Sequence, residues 1–205
     1  MGFIKHTHTH HGSVPDTPLD CQQLMAQISN PDTVVRRRAA HEAMRCPDCS
    51  SVLVAQLNKE AEPAVREAIL NSLSHIADAT AIAGLASCLR SEDTALRNET
   101  IDAMKSLNEE AAPVIRQLLK DIDPDVRIFA VNILESLKHP EVERWLIEVI
   151  STDPHINVCA TAVDLLGEVG TEQARAALEQ LALRFAQEPY IQFAIRVALR
   201  RLHEA

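Results

Sequence analysis

Residues 41–49 read His-Glu-Ala-Met-Arg-Cys-Pro-Asp-Cys, which sets a His41-Glu42 pair beside a Cys46-x-x-Cys49. Two thiolates at that spacing are half of a tetrahedral zinc site, which wants about four ligands. The same spacing serves dithiol redox chemistry when it lies in a βαβ setting. Upstream, the tract Lys-His-Thr-His-Thr-His-His-Gly contains His6, His8, His10 and His11. In an extended chain its alternation puts imidazoles on one side, and His-rich tracts take transition metals by themselves. Such a tail could also reach back to Cys46 and Cys49. A disordered leader or an expression remnant accounts for the tract more simply than a metal site. A transition metal there is the one cofactor these residues suggest.

The elements that must position these groups follow from composition. Of 205 residues 46 % are apolar, only 3 % are aromatic and five are glycine, so a core would be built from Leu, Ile, Val and Ala. That mixture favours packed helices over a sandwich or barrel. Twenty basic residues against 29 acidic give a net charge of −9, the wrong sign for a phosphate-binding surface, so no nucleic-acid partner is expected. Five scattered cysteines suit a reducing cytoplasm better than a disulfide framework. No apolar run approaches the ~18 residues of a membrane span.

Six segments repeat one pattern, anchored at Val35, Val65, Leu96, Val126, Val158 and Ile191, at intervals of 30, 31, 30, 32 and 33 residues. Arg36, Arg66, Arg97 and Arg127 directly follow their anchors, and Asp32, Glu62, Asp93, Asp123 and Glu188 stand three before. The fifth repeat is irregular, with Asp153 and an apparent insertion. Each unit reads as two helices. In the fourth, helix A covers about 111–121 and helix B about 124–138, with Val126, Ala130, Ile133, Leu134 and Leu137 forming an amphipathic stripe. Pro124 sits where a first-turn proline is tolerated, and Pro31, Pro63, Pro154 and Pro189 lie near the corresponding starts. Hairpins of this kind bury their apolar faces only by stacking.

The junctions Asp123-Pro-Asp-Val-Arg127 and Glu62-Pro-Ala-Val-Arg66 make the chain resemble the HEAT-repeat family, and more closely the short bacterial units of phycobilisome-lyase-type repeat proteins. The resemblance implies an all-α, right-handed solenoid of about six two-helix repeats over 18–205, after a His-rich tail at 1–17. It also implies that helix B lines the concave surface. The last two repeats lack the anchor arginine, so an Arg–acid ladder should stop before them.

At 100° per residue, positions +2, +6 and +9 from each anchor point away from the core. The +6 column is His41, Asn71, Asp102, Asn132, Asp164 and Val197; the +2 column is Arg37, Glu67, Asn98, Ile128, Ala160 and Phe193. Asn and Asp are mediocre helix formers, so four in succession at +6 suggest a ladder for a partner segment, against a solvated face of chance composition. Ile128, Ala160, Phe193 and Val197 add apolar character towards the C-terminus, which points to a protein contact or self-association. Arg196, Arg200 and Arg201 fit a polar terminal cap.

The same register weighs the chemical motifs. Cys46 falls at +11, otherwise Ile76, Leu107, Leu137, Val169 and Leu202, so it reads as a small core hydrophobe. Cys88 falls at −8, with Leu57, Leu118 and Ile150, and reads the same way. Cys49 has no such explanation and remains the residue to test for metal. His41-Glu42 is similar to the His-Glu pairs of deoxyhypusine hydroxylase, a HEAT-like di-iron enzyme. The equivalent pairs here are Asn71-Ser72, Asp102-Ala103, Asn132-Ile133 and Asp164-Leu165, so no symmetric metal site is encoded. The acidic balance also argues against a HEAT-like DNA glycosylase. The expectation is a non-catalytic, cytoplasmic scaffold that binds another protein on the helix-B face. The alternatives are a lyase-type or chaperone-like factor for a tetrapyrrole, or a metal- or redox-responsive regulator using the tail with Cys46 and Cys49.

Overall fold

In a computed structural model that describes residues 20–107 and 109–202, twelve α-helices follow one another with no strand among the described residues. They are α1 (Cys21–Gln27), α2 (Thr33–Glu42), α3 (Ser50–Leu57), α4 (Pro63–Ile76), α5 (Ala79–Cys88), α6 (Thr94–Lys105), α7 (Ala112–Leu118), α8 (Pro124–Leu134), α9 (Val142–Thr152), α10 (Ile156–Val169), α11 (Arg175–Arg184) and α12 (Pro189–Arg201). Each odd helix packs on the even helix after it, and the even helices pack on one another in chain order from α2 to α12. This is an α-solenoid of six two-helix repeats.

The recurring junction has a local cause. Asp32, Asp93 and Asp123 are the N-caps of α2, α6 and α8, and each carboxylate accepts the backbone N–H two residues on, at 2.8–2.9 Å. That satisfies a donor the helix leaves open. Glu62 and Glu188 hold the same position at α4 and α12 without a side-chain bond. Pro63, Pro124 and Pro189 are the first helical residues of α4, α8 and α12, where a missing N–H costs nothing. Helix α8 stops at Leu134, four residues short of the end expected from its apolar stripe.

One continuous apolar core runs from Leu24 to Leu202. The anchors Val65, Leu96, Val126, Val158 and Ile191 are buried in it, as are Leu57, Cys88, Leu118 and Ile150 of the −8 column. In the +11 column Leu107, Leu137 and Leu202 are buried, Ile76 is half-buried, and Val169 is 44 % exposed.

The anchor arginines tie repeats together. Arg36 forms a two-pronged pair with Glu60 at 2.8 and 3.0 Å and donates to the carbonyls of Asn30 and Pro31. Arg66 reaches Asp93 and Glu99 of the next repeat at 2.8 and 3.0 Å. Arg97 donates to the Ser91 carbonyl and to Thr94. Arg127 pairs with Asp153 at 2.6 and 3.0 Å and donates to the carbonyls of Asp121 and Ile122. Asp153, the irregular acid of the fifth repeat, is therefore a rung of the ladder.

The ladder also extends further than expected. Where α10 has Cys159 in place of the arginine, the thiol donates to the Asp153 carbonyl at 3.3 Å, the position that matches Asn30, Ser91 and Asp121. Arg184, from the end of α11, supplies the missing guanidinium: it donates to the carbonyls of Ser151 and Asp153 at 3.0 and 2.9 Å and contacts the Cys159 sulfur.

The cysteines require a correction. Cys46 is buried, as its column predicts, but it is joined to Cys21 in a disulfide. The expectation that the five cysteines form no disulfide fails because Cys21 opens α1, which packs on α2 and on the turns at 43–45 and 47–49. That packing brings two residues 25 apart in sequence to a Cα separation of 5.7 Å, inside the range a disulfide spans.

Candidate functional site

The face carried by the even helices is built from the columns that their own periodicity turns away from the core. At +6, His41, Asn71, Asp102 and Asp164 are exposed and Asn132 is half-buried. At +2, Arg37, Glu67, Asn98 and Phe193 are exposed, while Ile128 is half-buried against the core. Ala160 departs from the expected exposed apolar cluster: it is 3 % exposed and belongs to the core. Val197 is half-buried.

The structure brings these residues together in two clefts between neighbouring even helices. Between α2 and α4, a cleft of about 420 Å³ is lined by Arg37, His41, Glu67 and Asn71, together with Val34 and Arg38. Between α8 and α10, a cleft of about 190 Å³ is lined by Asn132 and Asp164 with Glu135, Thr161 and Glu168. Asn98 and Asp102 lie on α6, between them in the stack.

Among the described residues, His41, Asn71, Asn98, Asp102, Asn132 and Asp164 make no side-chain hydrogen bond or ion pair within the chain. Their neighbours one turn on are spent differently. Ser74 donates to the Ala103 carbonyl at 3.0 Å, and Lys105 pairs with Glu135 at 2.7 Å, so the +9 column holds repeats together. Ser72, fully buried, does likewise by donating to the Ala40 carbonyl at 2.6 Å. Among the described residues, the polar members of the +6 column and Asn98 of the +2 column keep their donors and acceptors free of other side chains.

The electrostatics change along the face. The α2 end presents Arg37, Arg38 and His41, although Arg38 is paired with Glu42 at 2.8 Å. The α8–α10 cleft is acidic. Desolvation there, and then the neighbouring Glu168, hold the Asp164 carboxyl above the usual carboxylate range, with Arg201 opposing. At the α12 end, Tyr190 and Phe193 are 65 % and 61 % exposed. They lie one turn apart, an arrangement that exposes apolar area without a covering group. Tyr190 stands at −1, a column the sequence reading did not consider. The signal was available, since it is the one tyrosine of the chain.

The metal hypothesis fares differently. His6, His8, His10 and His11 lie outside the described residues. Cys46 is not available as a thiolate, because its sulfur is in the disulfide. Cys49 is fully buried at the start of α3, so packing explains it after all. Burial, and then Asp48, push its thiol above the ordinary range. Among the described residues no cluster of three or more His, Cys, Asp or Glu is disposed to hold a metal ion. No helix among them is long and apolar enough to cross a membrane.

The profile of the HEAT repeats matches residues 21–105 and 111–200. No curated relative matches the chain. Among solved structures, an archaeal HEAT-like repeats protein from Thermococcus onnurineus NA1 is 16 % identical, with 89 % of this chain and 88 % of that one covered and a TM-score of 0.48. Human deoxyhypusine hydroxylase is 15 % identical over 90 % and 85 % of the two chains, with a TM-score of 0.48. The CpcE–CpcF complex of phycocyanin lyase from Nostoc sp. PCC7120 is 17 % identical over 98 % and 99 %, with a TM-score of 0.41. Likenesses of this degree carry no activity over to this chain.

Proposed function

We propose that this chain, which belongs to the HEAT-repeat family, is a non-catalytic adaptor that seats an extended segment of a partner protein on its even-helix face. The observation that carries this reading is the +6 column. Polar side chains recur on five successive even helices, four of them exposed, and they make no side-chain hydrogen bond within the described residues. An extended polypeptide has unpaired N–H and C=O groups along its whole length, and Asn offers both a donor and an acceptor. Neighbouring packed helices are roughly 8–10 Å apart and an extended chain rises ~3.3 Å per residue, so each rung meets about every third partner residue.

The gradient along the face gives the segment a direction. Acidic residues suit Arg37 and His41 at the α2 end, basic residues suit Asp164 and Glu168, and an apolar side chain suits Tyr190 and Phe193 on α12. Aromatic anchors flanked by polar groups are the arrangement in which binding energy concentrates. A net charge of −9 favours a protein over a nucleic acid as the partner.

The test is a selection of displayed random peptides against the chain, followed by hydrogen-exchange footprinting of the bound state. Selected peptides should protect α4, α6, α8 and α10. Asn71→Ala, Asn98→Ala and Asn132→Ala together should weaken them at least tenfold, since each hydrogen bond contributes about 0.5–1.5 kcal/mol, with thermal stability unchanged. Peptides whose footprint lies on the odd helices would refute the reading.

A further inference from the structure

The first repeat brings three cysteines close together, two of them joined in a disulfide. Cys21, the first residue of α1, is exposed; its partner Cys46 is 4 % exposed; and Cys49 is fully buried three residues on. The Cys49 backbone N–H donates to the Cys46 carbonyl at 2.9 Å, so the segment Cys46-Pro-Asp-Cys49 is one tight turn. Such a turn keeps its end Cα atoms within about 7 Å, a separation that a disulfide also tolerates. Cys46 therefore has two potential sulfur partners, of which the structure shows it bonded to Cys21.

The bond fastens a short helix, α1, at its first residue, Cys21. The helix has seven residues, well below the ~12 that an isolated helix needs to persist in water. It buries Leu24, with Ile28 just beyond its end, and it packs on α2 and on the two turns that flank Cys46. In the unfolded chain a crosslink spanning 25 residues removes loop entropy equivalent to roughly 100-fold or more in the folding equilibrium.

We propose that Cys21, Cys46 and Cys49 form a thiol–disulfide exchange site, at which a dithiol reductant opens the Cys21–Cys46 bond and releases α1 from the end of the solenoid. A reductant thiolate attacks the sulfur of Cys21, the more exposed residue of the pair. The S–S bond breaks and Cys46 leaves as a thiolate, which takes a proton from water. The second thiol of the reductant then attacks the mixed disulfide and frees Cys21. Two electrons and two protons pass from the dithiol, which becomes a cyclic disulfide, to the two cysteines. Burial holds Cys49 in its thiol form while α1 is docked, which keeps it from competing for Cys46. Once α1 leaves, Cys46 and Cys49 are the adjacent pair.

The whole chain, purified without reductant, tests this. Peptide mass mapping should find a Cys21–Cys46 crosslink and no Cys46–Cys49 crosslink. Dithiothreitol under native conditions should make Cys21 and Cys46 alkylatable while Cys88 and Cys159 stay protected. The amide hydrogen-exchange protection of Leu24 and Ile28 should fall on the order of 100-fold, with α4–α12 unchanged. Cys21→Ser should show the same loss without any dithiol and, on mild oxidation with diamide, should yield a Cys46–Cys49 crosslink. Absence of the Cys21–Cys46 crosslink, resistance of that bond to native reduction, or unchanged protection of α1 after reduction would each overturn the proposal. None of these readouts involves the even-helix face, so failure here leaves the adaptor reading standing.

Discussion

At the residue scale, buried arginines do the work that separate repeats cannot do alone. Arg127 and Asp153 expose 11 % and 6 % of their side chains, so removing one strands the other away from water. Arg127→Ala should therefore lower unfolding free energy in urea by roughly 3 kcal/mol or more. Arg97→Ala, which loses bonds to a carbonyl and a hydroxyl only, should cost about 1 kcal/mol. Equal losses would contradict the assigned roles. Glu60 supplies a pH test. Hydrogen bonding to Arg36, chiefly, lowers its carboxyl from 4.5 to about 2. A carboxylate whose folded pKa is depressed stabilises above its unfolded pKa, and that contribution disappears as pH falls through the folded value. The stability gap between the native chain and Glu60→Gln should thus be constant above pH ~5 and shrink between about 4.5 and 2, measured by urea midpoints. The four anchor arginines were legible in the sequence. Arg184 was not, because its role depends on where α11 ends beside α10 and not on a repeat position.

At the element scale, caps and close approaches decide the helix pairs. Helix α4 ends at Ala77, whose φ of 50° puts a β-carbon in the left-handed region. Glycine takes that conformation without the ~1 kcal/mol penalty, so Ala77→Gly should raise the melting temperature by about 2–4 °C; a fall would mean the cap is not left-handed. Gly84 of α5 lies against α3, where an added β-carbon would run into a methyl of Val54. Gly84→Ala should cost about 1–3 kcal/mol by overpacking, measured by the same unfolding. Helix pairs were readable because the apolar period recurs in every repeat and an Asp N-cap marks the junctions at Asp32, Asp93 and Asp123. The end of α8, the left-handed cap at Ala77 and the Cys21–Cys46 bond were not, since each is fixed by contacts between segments and leaves no local signature.

At the scale of the whole molecule, five successive repeats align one polar column on the even helices, with four of its members exposed and Asn132 half-buried, and that placement follows from the register of the anchors. Ala160 shows where that projection fails: the column angle assumes a uniform stack, and the repeats lengthen from 30 to 33 residues towards the C-terminus. The exposed pair Tyr190 and Phe193 belongs to the same face and should act as its apolar anchor. Phe193→Ala should weaken a selected peptide by about 2 kcal/mol or more, read by isothermal titration, with no change in sedimentation if the pair serves a partner and not a second copy. The most direct measurement is site-specific photocrosslinking in cells, with the photoreactive residue replacing Asn98 on the even-helix face or Gln180 on the odd helix α11. The account predicts a discrete crosslinked protein from position 98, lost in the Asn71→Ala, Asn132→Ala, Phe193→Ala background, and none from position 180. Crosslinking from position 180 alone, or from position 98 without any effect of those substitutions, would contradict it.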